Sequence, residues 1–159
     1  MIFVECYPDH TLVKFLTGRR KREIVHDIKG RSGVLGQLEQ HHHCKALVDE
    51  DPKSVQHSYM VRAALAQEIS SLDLGVLRDQ SRNNDIIILC PALEQWILKT
   101  AALAHINVTD RRYNLPDNPI RLHGEISRRS RKALNRYARL LADLKDTPRL
   151  SALARLLQG

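Results

Sequence analysis

Four carboxylates follow two short apolar runs: Glu5 and Asp9 come after Ile2-Phe3-Val4, and Asp49 and Asp51 after Ala46-Leu47-Val48. Such runs read as buried strands, so the acids fall where strands end. Neighbouring strands would bring the acids to one spot. Crowded carboxylates repel one another unless a cation sits among them, and hard oxygen donors suit Mg²⁺ or Mn²⁺. The chemistry that fits is therefore a divalent-metal site. Asp9 has a second reading as the N-cap of the helix that follows.

A second set of residues could hold phosphate. Lys29, Arg31 and Ser32 flank Gly30 and Gly33, where a helix N-terminus can accept an anion. Helix entry alone explains the same glycine pattern. Arg128, Arg129, Arg131, Lys132, Arg136 and Arg139 crowd one stretch, and Arg19-Arg20-Lys21-Arg22 forms another basic run. The formal net charge is +7. Clustered basic charge attracts polyanions, so nucleic acid is the expected partner. Aromatic residues make up only 4% of the chain, which points to backbone phosphate rather than stacked bases. A merely solvated basic face fits the same pattern. His41-His42-His43 reads as a solvent-facing helix end, because consecutive side chains point in different directions.

The bulk composition bounds the rest. The chain has 159 residues, 43% of them hydrophobic, which suits one compact domain with a real core. Cys6, Cys44 and Cys90 are far apart, so neither a Cys-x-x-Cys zinc ribbon nor a disulfide framework is expected. No apolar run approaches the ~18 residues of a membrane span, and the start does not read as a secretory signal. The expectation is a cytoplasmic protein without a membrane partner.

These residues need elements to position them. The pattern predicts a strand at 2–5, a helix at 9–17 stopped by Gly18, a strand at 23–28, a helix from Gly30 and a strand at 45–48. That is β-α-β-α-β, the signature of a parallel sheet with helical crossovers. Crossovers to opposite faces give strand order 2-1-3, with the first and third strands ~4.8 Å apart. Their carboxyl ends then flank the topological switch point, where open α/β sheets bind ligands. Further on, 55–71 reads as a helix through Val61, Ala64, Leu65 and Ile69. Strands are expected at 74–77 and 85–90, and a helix at 91–104 buries Leu93, Trp96, Ile97 and Ala101. A loop at 107–119 precedes helices at 121–145 and from Pro148 onward. The expected organisation is an α/β domain at 1–106 and a helical extension at 107–159 packed on the same core.

At Glu5, Asp49 and Asp51 the chain resembles the Toprim domain of topoisomerases, bacterial primases and OLD-family nucleases. That family carries a Glu at the end of its first strand and Asp-x-Asp at the end of a later one. The resemblance covers roughly residues 2–95 and implies a Toprim-like, Rossmann-like sheet. It makes Glu5, Asp49 and Asp51 the catalytic and metal-binding core, with Glu5 either a ligand or a general base. It adds Asp9, and Glu94 as the acid after a later strand. The implied activity is a Mg²⁺- or Mn²⁺-dependent nuclease or phosphodiesterase of the small stand-alone kind. The alternative is a catalytically degenerate member, with Cys6 where the family usually has glycine. Such a module would bind nucleic acid, a second copy or a partner protein. A third reading is a phosphohydrolase of a small phosphorylated substrate.

Overall fold

Alternation along three short strands sets the architecture. In the computed structural model, which describes residues 1–26, 29–53 and 56–159, Ile2 and Val4 face one side of the sheet and Phe3 the other. Leu47 and Ala46 divide in the same way, as do Ile87 and Ile86. Both faces of these strands are apolar, as expected of parallel strands covered twice. The strands are β1 (Ile2–Val4), β2 (Ile24–His26), β3 (Lys45–Asp49), β4 (Ala64–Ile69), β5 (Leu74–Asp79) and β6 (Asn84–Leu89). They form one six-stranded sheet in the order β2-β1-β3-β6-β5-β4. The β2-β1, β1-β3 and β3-β6 pairs are parallel, whereas β6-β5 and β5-β4 are antiparallel. The sheet is mostly parallel and compatible with a Rossmann-like arrangement, and it begins with the expected 2-1-3 order.

The helices are α1 (Tyr7–Thr17), α2 (Gly30–Glu39), α3 (Ser58–Arg62), α4 (Leu93–Leu103), α5 (Pro119–Ile126), α6 (Arg131–Leu144) and α7 (Pro148–Gln158). Leu12 and Val13 of α1 join Trp96 and Ile97 of α4, Leu122 of α5, Tyr137 and Leu141 of α6 and Leu153 of α7 in one cluster. Val34, Leu35 and Leu38 of α2 and Tyr59 and Met60 of α3 form the cluster on the opposite face. Each fully buried aliphatic side chain contributes ~1.5–3 kcal/mol, so these clusters decide which helix covers which face. Because α1 and α2 lie on opposite faces, the chain reverses between β1 and β3. Gly18 ends α1 in the left-handed region at φ 65, where a side chain would be strained.

Three sequence expectations change. Asp9 is not the N-cap of α1: the helix starts two residues earlier, with Cys6 at the cap and Asp9 in its first turn. The expected helix over 55–71 is instead the short α3 followed by the edge strand β4. Val61 and Leu65, two of the residues whose spacing suggested that helix, are 71% and 63% exposed. Pairing with β5 overrides the helical propensity of Ala64-Leu65-Ala66-Gln67-Glu68. The helix expected over 121–145 is two helices, broken where Arg129 adopts φ 55 and Ser130 caps α6 by accepting from the Ala133 N–H. The expected end of the second strand at 27–28 and the start of the 55–71 helix lie outside the described residues.

Candidate functional site

Three adjacent parallel strands end together, and each end delivers acids. Glu5 follows β1, Asp49 closes β3, and Glu94 stands in the first turn of α4, just beyond β6. Asp9 enters from the first turn of α1. Backbone bonds hold the exits in register: the Glu50 N–H donates to the Leu89 carbonyl at 2.9 Å and the Asp51 N–H to the Pro91 carbonyl at 3.2 Å.

Local bonds then aim the carboxylates. The Asp49 N–H donates to Glu5 Oε1 at 2.7 Å, tying the β1 end to the β3 end. The Leu93 N–H donates to Asp49 Oδ1 at 2.9 Å, tying β3 to the start of α4. Asp9 Oδ2 accepts from the Cys6 N–H at 3.1 Å and from the Cys6 thiol at 3.0 Å. Arg31 of α2 donates to the carbonyls of Glu50 at 2.6 Å and Asp49 at 3.4 Å, so its guanidinium clamps the β3 exit.

Crowding shows in the electrostatics. Burial pushes the Asp49 carboxyl up to about 8, reinforced by the negative charges of Asp9, Glu5 and Glu94. Burial likewise pushes Asp9 up to about 7, with Glu5 and Glu94 adding to it against the bonds from Cys6. Glu5 is raised by burial, opposed by the Asp49 N–H bond and the Arg31 charge. The Cys6 thiol is pushed far up by burial and by Asp9, so it is a hydrogen-bond donor rather than a nucleophile. Free energy is stored here: ionising these acids together costs repulsion that a cation would relieve.

The sequence-derived residues do not all converge. Glu5, Asp9, Asp49 and Glu94 act on one another electrostatically. Asp51 is exposed at φ 40 beyond β3, and its charge reaches Glu5. Lys29 and Ser32 are exposed at the start of α2. Arg128 and Arg129 lie in the break between α5 and α6, and Arg131 and Lys132 are exposed in the first turn of α6. The Arg129 guanidinium sits 4.5 Å from the Tyr7 ring centroid, which brings the basic loop against the start of α1 beside Asp9. Arg128 and Arg136 both approach Glu125, at 3.8 Å and 3.5 Å.

His123 was not foreseen. Its Nδ1 lies 2.7 Å from Glu94 Oε1, across a span from α5 to α4 that no local spacing reveals. Tyr137 of α6 also comes under the influence of these acids. It is fully buried, and its pKa is raised by burial and by Asp9, Glu94 and Cys6. Its hydroxyl has no hydrogen-bond partner among the described residues.

The donor chemistry suits a hard divalent cation, which takes one or two carboxylates and fills its remaining positions with water or phosphate oxygen. Among the described residues, however, no group of three or more His, Cys, Asp or Glu is spaced to hold a metal ion. A cavity of about 510 Å³ opens on the opposite face, beside Met60, Leu77 and Ile88, with Glu50 on its wall. No helix among the described residues is long and apolar enough to cross a membrane. No family model, curated protein or solved structure matches the chain.

Proposed function

We propose that the protein is a Toprim-type phosphodiesterase that cleaves DNA or RNA with Mg²⁺ or Mn²⁺. The observation that carries this reading is the convergence of Glu5, Asp9, Asp49 and Glu94 at the ends of β1, β3 and β6, with Asp49 raised by burial and by the charges of Asp9, Glu5 and Glu94, and Asp9 by burial and by Glu5 and Glu94. Glu5, Asp49 and Asp51 would hold the metal, assisted by Asp9 and Glu94. A pair of such ions, when bound, would stabilise the attacking and leaving oxygens of a phosphodiester.

The chain's own residues prepare that site. Arg31 fixes the β3 exit through two carbonyls, and the Leu93 N–H orients Asp49 by one oxygen. The exposed Arg128, Arg129, Arg131 and Lys132 would draw in backbone phosphate, and Lys29, Arg31 and Ser32 would orient it at the start of α2. Cytoplasmic placement belongs to the same reading, since Cys6, Cys44 and Cys90 are free thiols suited to a reducing compartment. The test is cleavage of labelled DNA and RNA with Mg²⁺ or Mn²⁺. Loss of cleavage in Asp49→Ala supports the proposal, and unchanged cleavage removes it.

Among the described residues no three His, Cys, Asp or Glu are spaced to hold a metal ion, which favours a second reading, a catalytically degenerate module that binds nucleic acid or a protein partner. Calorimetry separates the two. The degenerate module takes up no Mg²⁺ or Mn²⁺, yet binds polyanions with an affinity that falls steeply with salt.

A further inference from the structure

One strand of the antiparallel half carries a glycine where its neighbours carry side chains. In the register of β4, β5 and β6, Glu68, Gly75 and Ile88 form a row, and partners in such a row share a face of the sheet. Gly75 therefore leaves a gap between a carboxylate and an aliphatic side chain. A Cβ placed there would touch only Ile88, at 3.7 Å, so the gap is open space and not a close approach of another backbone. The next row on the same face, Leu65, Leu77 and Ile86, is wholly apolar.

The cavity of about 510 Å³ lies over these rows, with Met60 of α3 on its wall. That volume and an apolar lining with a few polar groups suit a small molecule. Its charged groups are all acidic: Glu50, Glu68 and Asp73 line it, and no Lys, Arg or His does. The three acids share a neighbour in Cys90, whose thiol burial pushes up to about 11 with their charges adding to it. Asp73 is already answered by Arg149 at 2.6 Å and Lys99 at 2.7 Å. Glu50 and Glu68 form no ion pair among the described residues, so the cavity keeps unbalanced negative charge beside an apolar floor.

We propose that this cavity binds a small organic ammonium ion, its charged head on Glu68 within the field of Glu50 and its aliphatic body in the Gly75 gap against Leu77 and Ile88. A bare metal ion would gain nothing from the apolar floor, and a neutral or anionic ligand would leave the carboxylates unanswered. The site shares no residue with the acid cluster and stands whether or not the protein cleaves nucleic acid.

The test is isothermal calorimetry on the full chain at pH 7 with hexylammonium chloride, 1-hexanol of similar shape but no charge, and hexanoate of opposite charge. Hexylammonium should bind with a Kd of about 1 mM or tighter, and hexanol at least about tenfold more weakly, since hydrogen bonds to charged groups are at stake. Glu68→Gln, on the exposed edge strand, keeps the shape and should weaken hexylammonium by at least about threefold. Gly75→Leu fills the gap with every carboxylate in place and should abolish uptake. Should Gly75→Leu fail to fold, Glu68→Gln decides. Hexylammonium binding no tighter than hexanol or hexanoate, no hexylammonium uptake by the wild type, or undiminished uptake by Glu68→Gln or by folded Gly75→Leu would each overturn the proposal.

Discussion

Asp49 and Asp85 stand at opposite ends of the same strand pair, and the fold treats them in opposite ways. In the register of β3 with β6, Asp85 pairs with Lys45 at one end and Asp49 with Leu89 at the other. Burial pushes the Asp85 carboxyl up, but the bond from Arg78 and the charges of Lys45 and Arg78 outweigh it and hold the group below its ordinary value. Its partners are close: Arg78 at 2.7 Å and Lys45 at 3.4 Å. Asp49 has acids for neighbours and is pushed up to about 8. Asp79 follows the Asp85 pattern and is held down at about 2, first by the Ser81 hydroxyl and then by Tyr59 and Arg82. A carboxylate with cations and donors around it is part of the scaffold. A buried carboxylate among other carboxylates works against the scaffold, which is the usual mark of a functional site.

The largest effect that tests this contrast is on activity. Asp49→Asn should lower metal-dependent cleavage by at least about 100-fold, whereas Asp85→Asn should leave it within about threefold. Stability should move the other way. Asn at 49 keeps an oxygen for the Leu93 N–H and removes a repelling charge, so its Tm at pH 8 should rise. Asn at 85 loses two cationic partners, so its Tm should fall by roughly 2–4 °C, and by less at high salt. If the two variants shift Tm in the same direction, the contrast is wrong.

The next effect is on pH dependence. Asp9 and Asp49 keep their protons in the folded state up to about 7 and about 8, while the unfolded chain releases them near its ordinary carboxylate value. The native state therefore binds more protons across that window, and stability falls as pH rises through it. Melting without metal should show Tm decreasing by about 10 °C between pH 5 and pH 8.5. Asp49→Asn should flatten the slope. Adding Mg²⁺ at pH 8.5 should restore much of the loss if the acids hold the ion. A Tm that rises over the same range would reverse the sign and sink the electrostatic account.

These two tests rest on residues of unequal legibility. Glu5, Asp9, Asp49 and Asp51 could be picked from sequence because short apolar runs mark strand ends, and the 2-1-3 order follows from β-α-β-α-β connectivity. The antiparallel half was harder. Ala64-Leu65-Ala66-Gln67-Glu68 has good helix propensity, and only the pairing of β4 with β5 makes it a strand. The break at Arg129 was hidden because Arg128-Arg129-Ser130-Arg131 continues the helical composition on both sides. The pairing of His123 with Glu94 and the approach of Arg129 to Tyr7 depend on how α5 and α6 dock, which local patterns do not encode. The cation set around Asp73 was missed for the same reason, since Lys99 and Arg149 reach it from different helices.

The acid limb sharpens the scaffold side. The folded-state value of Asp79, about 2, lies below that of the unfolded chain, so its stabilisation is present above the unfolded value and lost as pH falls through about 2. Asp79→Asn should reduce the steepness of unfolding between pH 4 and pH 2 and leave the alkaline limb unchanged. A change confined to the alkaline limb would show that Asp79 belongs with the acid cluster instead.

The smallest effect is expected at Tyr137, where the two regimes meet. Its ring is core, packed with Leu140 and Leu141 of the same helix, but its hydroxyl lies within the influence of Asp9 and Glu94. With no partner for that hydroxyl among the described residues, Tyr137→Phe removes a desolvated polar atom and breaks no bond. Stability should stay the same or rise by up to about 1 kcal/mol in urea unfolding, with an unchanged m-value. A loss of about 1 kcal/mol or more would mean that the hydroxyl is bonded in solution, through water or an ion, to the carboxylates beside it. The acid cluster would then extend into the helical layer, and the line between scaffold and site would run through α6 rather than along the strand ends.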